Sequence, residues 1–393
     1  MSAPAIHVLH LVAADISMGK LAALRALAER SEPGVRQWLF LVGPAAGDAL
    51  GLPLAAHVRA PIELPWGQKR ALRAALARVG ADAPRDPAGE RCTIVHVWSV
   101  RAASWGAAFF GPGRWLLFET EPGEDWERAA GRALVRRDPD RVIAICPTLT
   151  ARRRQLAEGI PASNGVLMRE GIDRGELEQV DVADVRRRLR LDREHTVLVT
   201  PPPVSRATGT FVATWAALLL EKVRPDVRLV IPAGGAERAR VRRLVRASQH
   251  DEAVRFAGRD TSVAELVAIA DLVVFLPRRD APVTGLLWAM AAGRPIVSTA
   301  VPAVTEFLSH ADNAWLCRPN DPQAAARMML HALEQADDSR RMAARAGAQV
   351  VSMCDRAQAL AQYLRLYADL AAGRRPLEGW EPAELALPAD ADA

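Results

Sequence analysis

Short apolar runs alternate with longer stretches of helical period along the whole chain. The runs fall at residues 6–12, 38–42, 93–97, 115–118 and 141–145, and again at 196–200, 227–231, 254–258, 272–276, 296–299 and 314–317. Apolar side chains occupy both phases of the two-residue repeat in most of them, the mark of parallel strands covered by helices on each face. Helical patterns lie between: from the loop 13–19 to about residue 29, then 147–157, 182–191, 210–222, 236–247, 262–269, 284–292, 323–336, 339–350 and 355–371. Residues 61–79 read as a loop and an amphipathic helix, and the Pro, Gly and Asp cluster 80–90 as an exposed connection. Strand and helix alternate in both halves, which predicts an α/β chain of two doubly wound, Rossmann-like domains.

The stretch 271–306 organises the second half. A buried strand ends at Pro277, a polar loop follows, and the helix 284–292 has Gly293 in position to end it. Arg294-Pro295 then turns the chain into the strand 296–299. In such a βαβ unit ligands sit at the carboxyl ends of the strands, here the loop 277–283 and the first turn of the helix behind it.

Composition narrows the function classes. At 393 residues, 50% hydrophobic and 25% charged, the chain has the length of two ordinary soluble domains. No apolar run approaches the ~20 residues of a membrane span. The first residues carry no basic segment of a secretory signal, so a cytoplasmic location is expected. Cys92, Cys146, Cys317 and Cys354 lie far apart, which argues against a structural metal and a disulfide framework. The net charge of +5 comes almost wholly from arginine, since only Lys20, Lys69 and Lys222 are lysines. The runs 152–154, 186–188 and 238–246 read as solvated helix faces, with weak attachment to anionic lipid as the minor reading. Aromatics are not interleaved with them, so no nucleic-acid partner is expected.

Ala289-Met290-Ala291-Ala292-Gly293-Arg294-Pro295-Ile296-Val297 resembles the donor-sugar segment of the family-4, or group 1, glycosyltransferases of GT-B fold. That family reads as a strand, Pro-Ser, two Glu with seven residues between them, then Ala-Met-Ala-x-Gly-x-Pro-Val-Val. Gly171-Ile172-Asp173, the His-bearing strand 93–97 and Pro319-Asn320-Asp321-Pro322 are similar to further family stretches, so the resemblance runs over roughly residues 6–371. It implies two doubly wound domains facing across a cleft, 1–180 on the acceptor side and 181–350 on the donor side. A helix at 351–372 would cross back to the first domain, and 373–393 would form a flexible tail.

The resemblance also implies a chemistry. A sugar would pass, with retention, from a nucleotide-diphosphate sugar to a glycan or a lipid-linked acceptor. The donor is a co-substrate, and neither a metal nor another cofactor is required. Asp280 falls at the first acidic position, where it would contact the sugar, and Trp288 at the second. Glu121 stands near the family's sugar-contacting His, as a hydroxyl binder or as an exposed loop residue. The family's diphosphate-facing Arg and Lys correspond to Pro203 and Thr208, just before the retained Gly209. Two lost charged hydrogen bonds would cost roughly 3–6 kcal/mol, about 10²- to 10⁴-fold in rate. Arg206, Arg278 and Arg279 are candidate replacements. Gly234, Gly235, Thr284 and Gly285 complete the donor loops, and Glu306 has a binding or a structural role near the nucleotide. Gly19 and Lys20 mark the acceptor-side loop. Trp288 is expected to pack between helix and sheet, and His96 to be a satisfied core residue. An inactive pseudo-transferase serving as a binding or scaffold protein is the rival expectation. An epimerase on the same fold ranks below both, for want of an acid/base pair.

Overall fold

In the computed structural model the described residues are 6–13, 16–30, 35–42, 58–64, 93–99, 102, 114–120 and 139–374. The expected helix after residue 64, the connection 80–90, Cys92, Glu121 and the tail beyond residue 374 lie outside them. The chain divides into two compact units, residues 1–171 with 357–393, and residues 172–356.

The first unit is built on a parallel sheet of β1 (Ile6–Ala13), β2 (Val35–Val42), β3 (Val58–Leu64), β4 (Thr93–Val97), β5 (Arg114–Glu119), β6 (Val142–Cys146) and β7 (Gly165–Leu167). Their order is β3-β2-β1-β4-β5-β6-β7. Strand β3 corrects the expected loop at 61–64. It pairs with β2 from Gln37↔Val58 to Val42↔Leu64, with a register shift between Trp38 and Phe40. Pro61 hides the strand in the sequence, but β3 is an edge strand, where a residue without an N–H is tolerated. Helices α1 (Met18–Glu29) and α2 (Leu149–Ala157) follow β1 and β6, and Thr148 caps α2 by accepting from the Ala151 N–H at 2.9 Å.

The second unit repeats the scheme with β8 (Thr196–Val199), β9 (Val227–Ile231), β10 (Val254–Phe256), β11 (Leu272–Phe275), β12 (Ile296–Thr299) and β13 (Trp315–Cys317), in the order β10-β9-β8-β11-β12-β13. Its helices are α3 (Arg174–Glu178), α4 (Val182–Arg188), α5 (Thr210–Glu221), α6 (Arg238–Ser248), α7 (Val263–Ala268), α8 (Thr284–Ala291), α9 (Pro302–Thr305), α10 (Pro322–Glu334) and α11 (Ala336–Met353). The last helix, α12 (Arg356–Ala371), belongs from Ala357 onward to the first unit. Ser262 and Glu265 form a reciprocal capping box on α7. No described helix is long and apolar enough to cross a membrane.

Strand β11 shows why these sequences make such sheets. Val273 and Phe275 enter the apolar layer under α7, α8 and α11. Leu272 and Val274, with Leu276 beyond them, enter the opposite layer under α5, α6 and α10. Each buried side chain of this size contributes about 1.5–3 kcal/mol, so a polar residue at either phase would be costly. In both sheets the third strand, the second, the first and the fourth lie side by side in that order. Each sheet therefore has a switch point between its first and fourth strands, where connections depart to opposite faces and the strand ends leave a crevice.

Candidate functional site

In the second unit the switch point lies between β8 and β11, and three loops meet at the carboxyl ends there. The loop 200–209 leaves β8, the loop 232–237 leaves β9, and the loop 276–283 leaves β11. Glycines hold them at backbone distance. Gly209 has φ +71°, and a Cβ on it would fall inside the Leu276 carbonyl. Gly235 has φ +106° and lies against the Val204 backbone, and Gly285 lies against Pro201. Gly234, at φ +81°, faces open space.

Polar side chains lock the same loops. The Thr208 hydroxyl donates to the Pro203 carbonyl at 2.6 Å, and the Ser205 N–H donates to the Thr208 hydroxyl oxygen at 3.3 Å. Thr208 is buried at 2% exposure, so its hydroxyl holds the loop together from inside. Ser298 donates to the Phe275 carbonyl at 2.6 Å, and Thr299 to the Pro277 carbonyl at 2.5 Å, tying the end of β11 to β12. Asp280 is half-buried at the mouth of the third loop. Helix α8 starts just beyond it, with no side chain capping its first turn. By helix geometry the N–H groups of Thr284, Gly285 and Leu286 have no partner within the helix, which leaves a positive end directed at the loop mouth.

Arg206 is exposed, and its Nε lies 3.5 Å from Glu237 Oε1. Glu237 also accepts from Arg240 at 2.8 Å, and its backbone N–H donates to the Val204 carbonyl. This buried carboxylate joins two of the three loops, and the sequence reading missed it, because a Glu beside an Arg-rich helix passes for a surface residue. Trp288 belongs to the apolar layer beneath α8, 8% exposed among the core side chains. Its indole offers no open face to a ribose. Glu306 is half-buried at the end of α9.

The switch point of the first unit is different in kind. Gly19 and Lys20 lie in the first turn of α1, after β1. His10 and His96, far apart in sequence, are register partners on β1 and β4. The Trp98 indole N–H donates to His10 Nδ1 at 2.9 Å, so the proton of His10 sits on Nε2, which donates to Gln37 Oε1 at 2.9 Å. Gln37 in turn donates to the Leu27 carbonyl at 2.8 Å. His96 is held between Tyr367 Oη at 2.7 Å from Nδ1 and Glu119 Oε1 at 3.0 Å from Nε2. The Tyr363 hydroxyl donates to the same Glu119 oxygen at 2.8 Å. With Glu119 as a carboxylate acceptor, His96 carries its proton on Nε2 and accepts from Tyr367.

Burial sets the charge states. It holds His10 near pKa 3, helped by the neighbouring His96. It also holds His96 well below the usual imidazole range, with the Lys20 ammonium adding to the effect. Burial, with the Glu119 charge beside them, pushes the hydroxyls of Tyr363 and Tyr367 well above the usual phenol range. The acidic residue described at the end of β5 is thus Glu119. Its neighbour in the sequence reading, Glu121, lies outside the described residues.

Residues 187–349 match the family Glycosyl transferases group 1. Over 145 residues, 37% of the chain, it is 30% identical to the N-acetyl-alpha-D-glucosaminyl L-malate synthase of Bacillus anthracis, and the match spans only 38% of that curated relative. Among solved structures, Anabaena Alr3699/HepE in complex with UDP and glucose is similar at a TM-score of 0.75 and 16% identity, covering 92% of this chain and 99% of that one. The sucrose-phosphate synthase of Thermosynechococcus elongatus is similar at a TM-score of 0.72 and 16% identity, covering 94% and 100%. At such identities these structures speak for the fold alone. Residues 187–349 are thus similar to the group 1 glycosyl transferases, and the chain has the GT-B fold of these structures.

Proposed function

We propose that this chain is a glycosyltransferase that moves a sugar, with retention, from a nucleotide-diphosphate sugar to a glycan or lipid-linked acceptor. The observation that carries it is the meeting of three glycine-packed loops at the switch point of a group 1 region, beside the uncapped first turn of α8. Neighbours in fold are described as complexes with UDP and glucose or with UDP-glucose, which supports a donor of that class.

In this reading the N–H groups at 284–286 and the Arg206 guanidinium stabilise the departing diphosphate. Arg206 swings to it from Glu237, a pair open enough to solvent to be weak. Asp280 contacts the sugar hydroxyls, Gly234 leaves room for the nucleotide, and Glu306 lies beside it. Gly19 and Lys20 serve the acceptor side, and Glu121 is a further sugar-contacting residue. Leaving-group stabilisation comes from fixed dipoles and arginine, and the proposed mechanism uses no metal. We place the protein in the cytoplasm, with its Arg-rich faces giving at most weak contact with the inner membrane surface.

Two observations favour a second reading, a pseudo-transferase that binds without catalysis. The Thr208 hydroxyl is engaged within its own loop, and Trp288 is core, at two positions where the family carries charge. Calorimetry with uridine, guanosine and adenosine diphosphates and their sugars separates the two. The enzyme reading expects micromolar-to-millimolar binding of one nucleotide and turnover of its sugar. Absence of both leaves only the scaffold. Arg206→Ala is expected to weaken the diphosphate about tenfold while sparing the nucleoside, and equal weakening of both removes Arg206 from its role.

A further inference from the structure

Strand β13, at one edge of the second sheet, ends at Cys317, and α10 runs back along it from Asp321. Cys317, Arg318 and Asp321 line an open cavity of about 460 Å³ with Ala324, Arg327, Met328 and His331, which follow one another at helical spacing along one face of α10. That volume is in the range of small-molecule sites, roughly 300–1,000 Å³. The cavity is two strands away from β11 and shares no residue with the three loops of the donor reading.

Its charges are left open. Several guanidinium groups of this unit are engaged: Arg188 with Asp184 and Glu265, Arg224 with Asp226, Arg356 with Asp173, and Arg345 with Asp312. Among the described residues, Arg318 and Arg327 make no ion pair and no hydrogen bond. Asp321, the one carboxylate in the lining, accepts from the Ala324 N–H at 2.8 Å and caps α10. Burial and Asp321 push the Cys317 thiol up to about 11, so it adds no negative charge near neutral pH.

The walls are held in place. His331 packs edge-on against Trp315, with ring centroids 4.6 Å apart. The Trp315 indole N–H donates to Ser339 Oγ at 2.9 Å, and Ser339 donates to the Ala332 carbonyl at 2.7 Å. Two unengaged guanidiniums thus line a preformed hollow whose other wall is a thioether, a methyl group and an imidazole. Arginine pairs suit phosphate oxygens through their planar fork of donors, and the apolar wall suits a ring carried on the phosphate.

We propose that this cavity is a second ligand site, taking a phosphate monoester of a small ring compound, with the phosphate between Arg318 and Arg327 and the ring against Met328 and His331. The site is independent of the donor loops.

The test is titration calorimetry on the full chain with glucose 6-phosphate, uridine monophosphate, inorganic phosphate and glucose, with the Met328 methyl followed by NMR. One of the two esters is expected to bind and to shift Met328, and which one binds tells whether the ring is a sugar or a nucleoside. Arg318→Gln and Arg327→Gln are each expected to weaken that ester about tenfold, and the double variant to abolish its binding. Both side chains are exposed, so thermal melts should match the parent. Arg206→Ala is expected to leave the Met328 shift unchanged, so that failure of the donor reading and failure of this site are separable. Three results overturn the proposal: no Met328 shift with either ester, a Met328 shift that survives the double variant, or glucose shifting Met328 as well as its phosphate does.

Discussion

The two units share one strand order and differ in what they bury. The first holds His10, His96, Glu119 and the Tyr363 and Tyr367 hydroxyls in its centre, each hydrogen-bonded to another buried polar side chain. In the second, the buried polar side chains are hydroxyls apart from Glu237 and Asn313, and the layers on both sides of the sheet are apolar. The same topology is therefore held by directional pairing in one unit and by close packing in the other. The first should be sensitive to protons and the second to volume.

The largest effect expected is in the second unit. Gly209→Ala puts a methyl group into the Leu276 carbonyl at a positive φ, and should cost about 4 kcal/mol or more. Amide exchange in β8 and β11 should then rise to the rate of global opening. Unchanged protection there would mean that the loop yields easily. Next, Trp288→Ala should cost about 3–5 kcal/mol in denaturant unfolding of that unit, independent of pH between 5 and 8.

Acid should act on the first unit. The native pKa of His10 lies below its unfolded value, so the unfolded chain binds more protons between about pH 3 and 6.5. Stability is complete above 6.5 and is lost as pH falls. At pH 5 the loss from His10 should be about 2 kcal/mol, with His96 adding to it in the same direction. Hydrogen exchange at pH 5 and 7.5 should show β1 and β4 loosening while β8 and β11 hold, and equal loosening of both sheets would break the distinction. The smallest effect expected is for Tyr363→Phe. It takes one donor from Glu119 and should cost about 1–2 kcal/mol, seen first as faster exchange in α12.

Much of the fold was legible because buried parallel strands are apolar on both phases, a pattern that few other elements share. Strands 93–97, 227–231 and 296–299 have the bounds that the pattern predicts. Strand β3 was not legible, because Pro61 and a register shift break its pattern at an edge. On the donor side, Gly209 and Gly285 could be named from sequence, but the backbone each one meets could not. The His10–His96 pairing was illegible for a plainer reason. Eighty-six residues separate the two histidines, and only strand register brings them side by side. Glu237 shows the same limit, since nothing local marks it as the carboxylate that joins two loops.

The return of the chain at Ala357 also has a temporal side. Residues 172–356 are contiguous and can collapse as soon as they emerge from the ribosome, whereas the seven-stranded sheet must wait for Tyr363, Leu366, Tyr367 and Leu370, made more than two hundred residues after its first strand. During synthesis the earlier half is thus the later one to mature, its histidine-bearing face open to chaperones until the last helix closes over it.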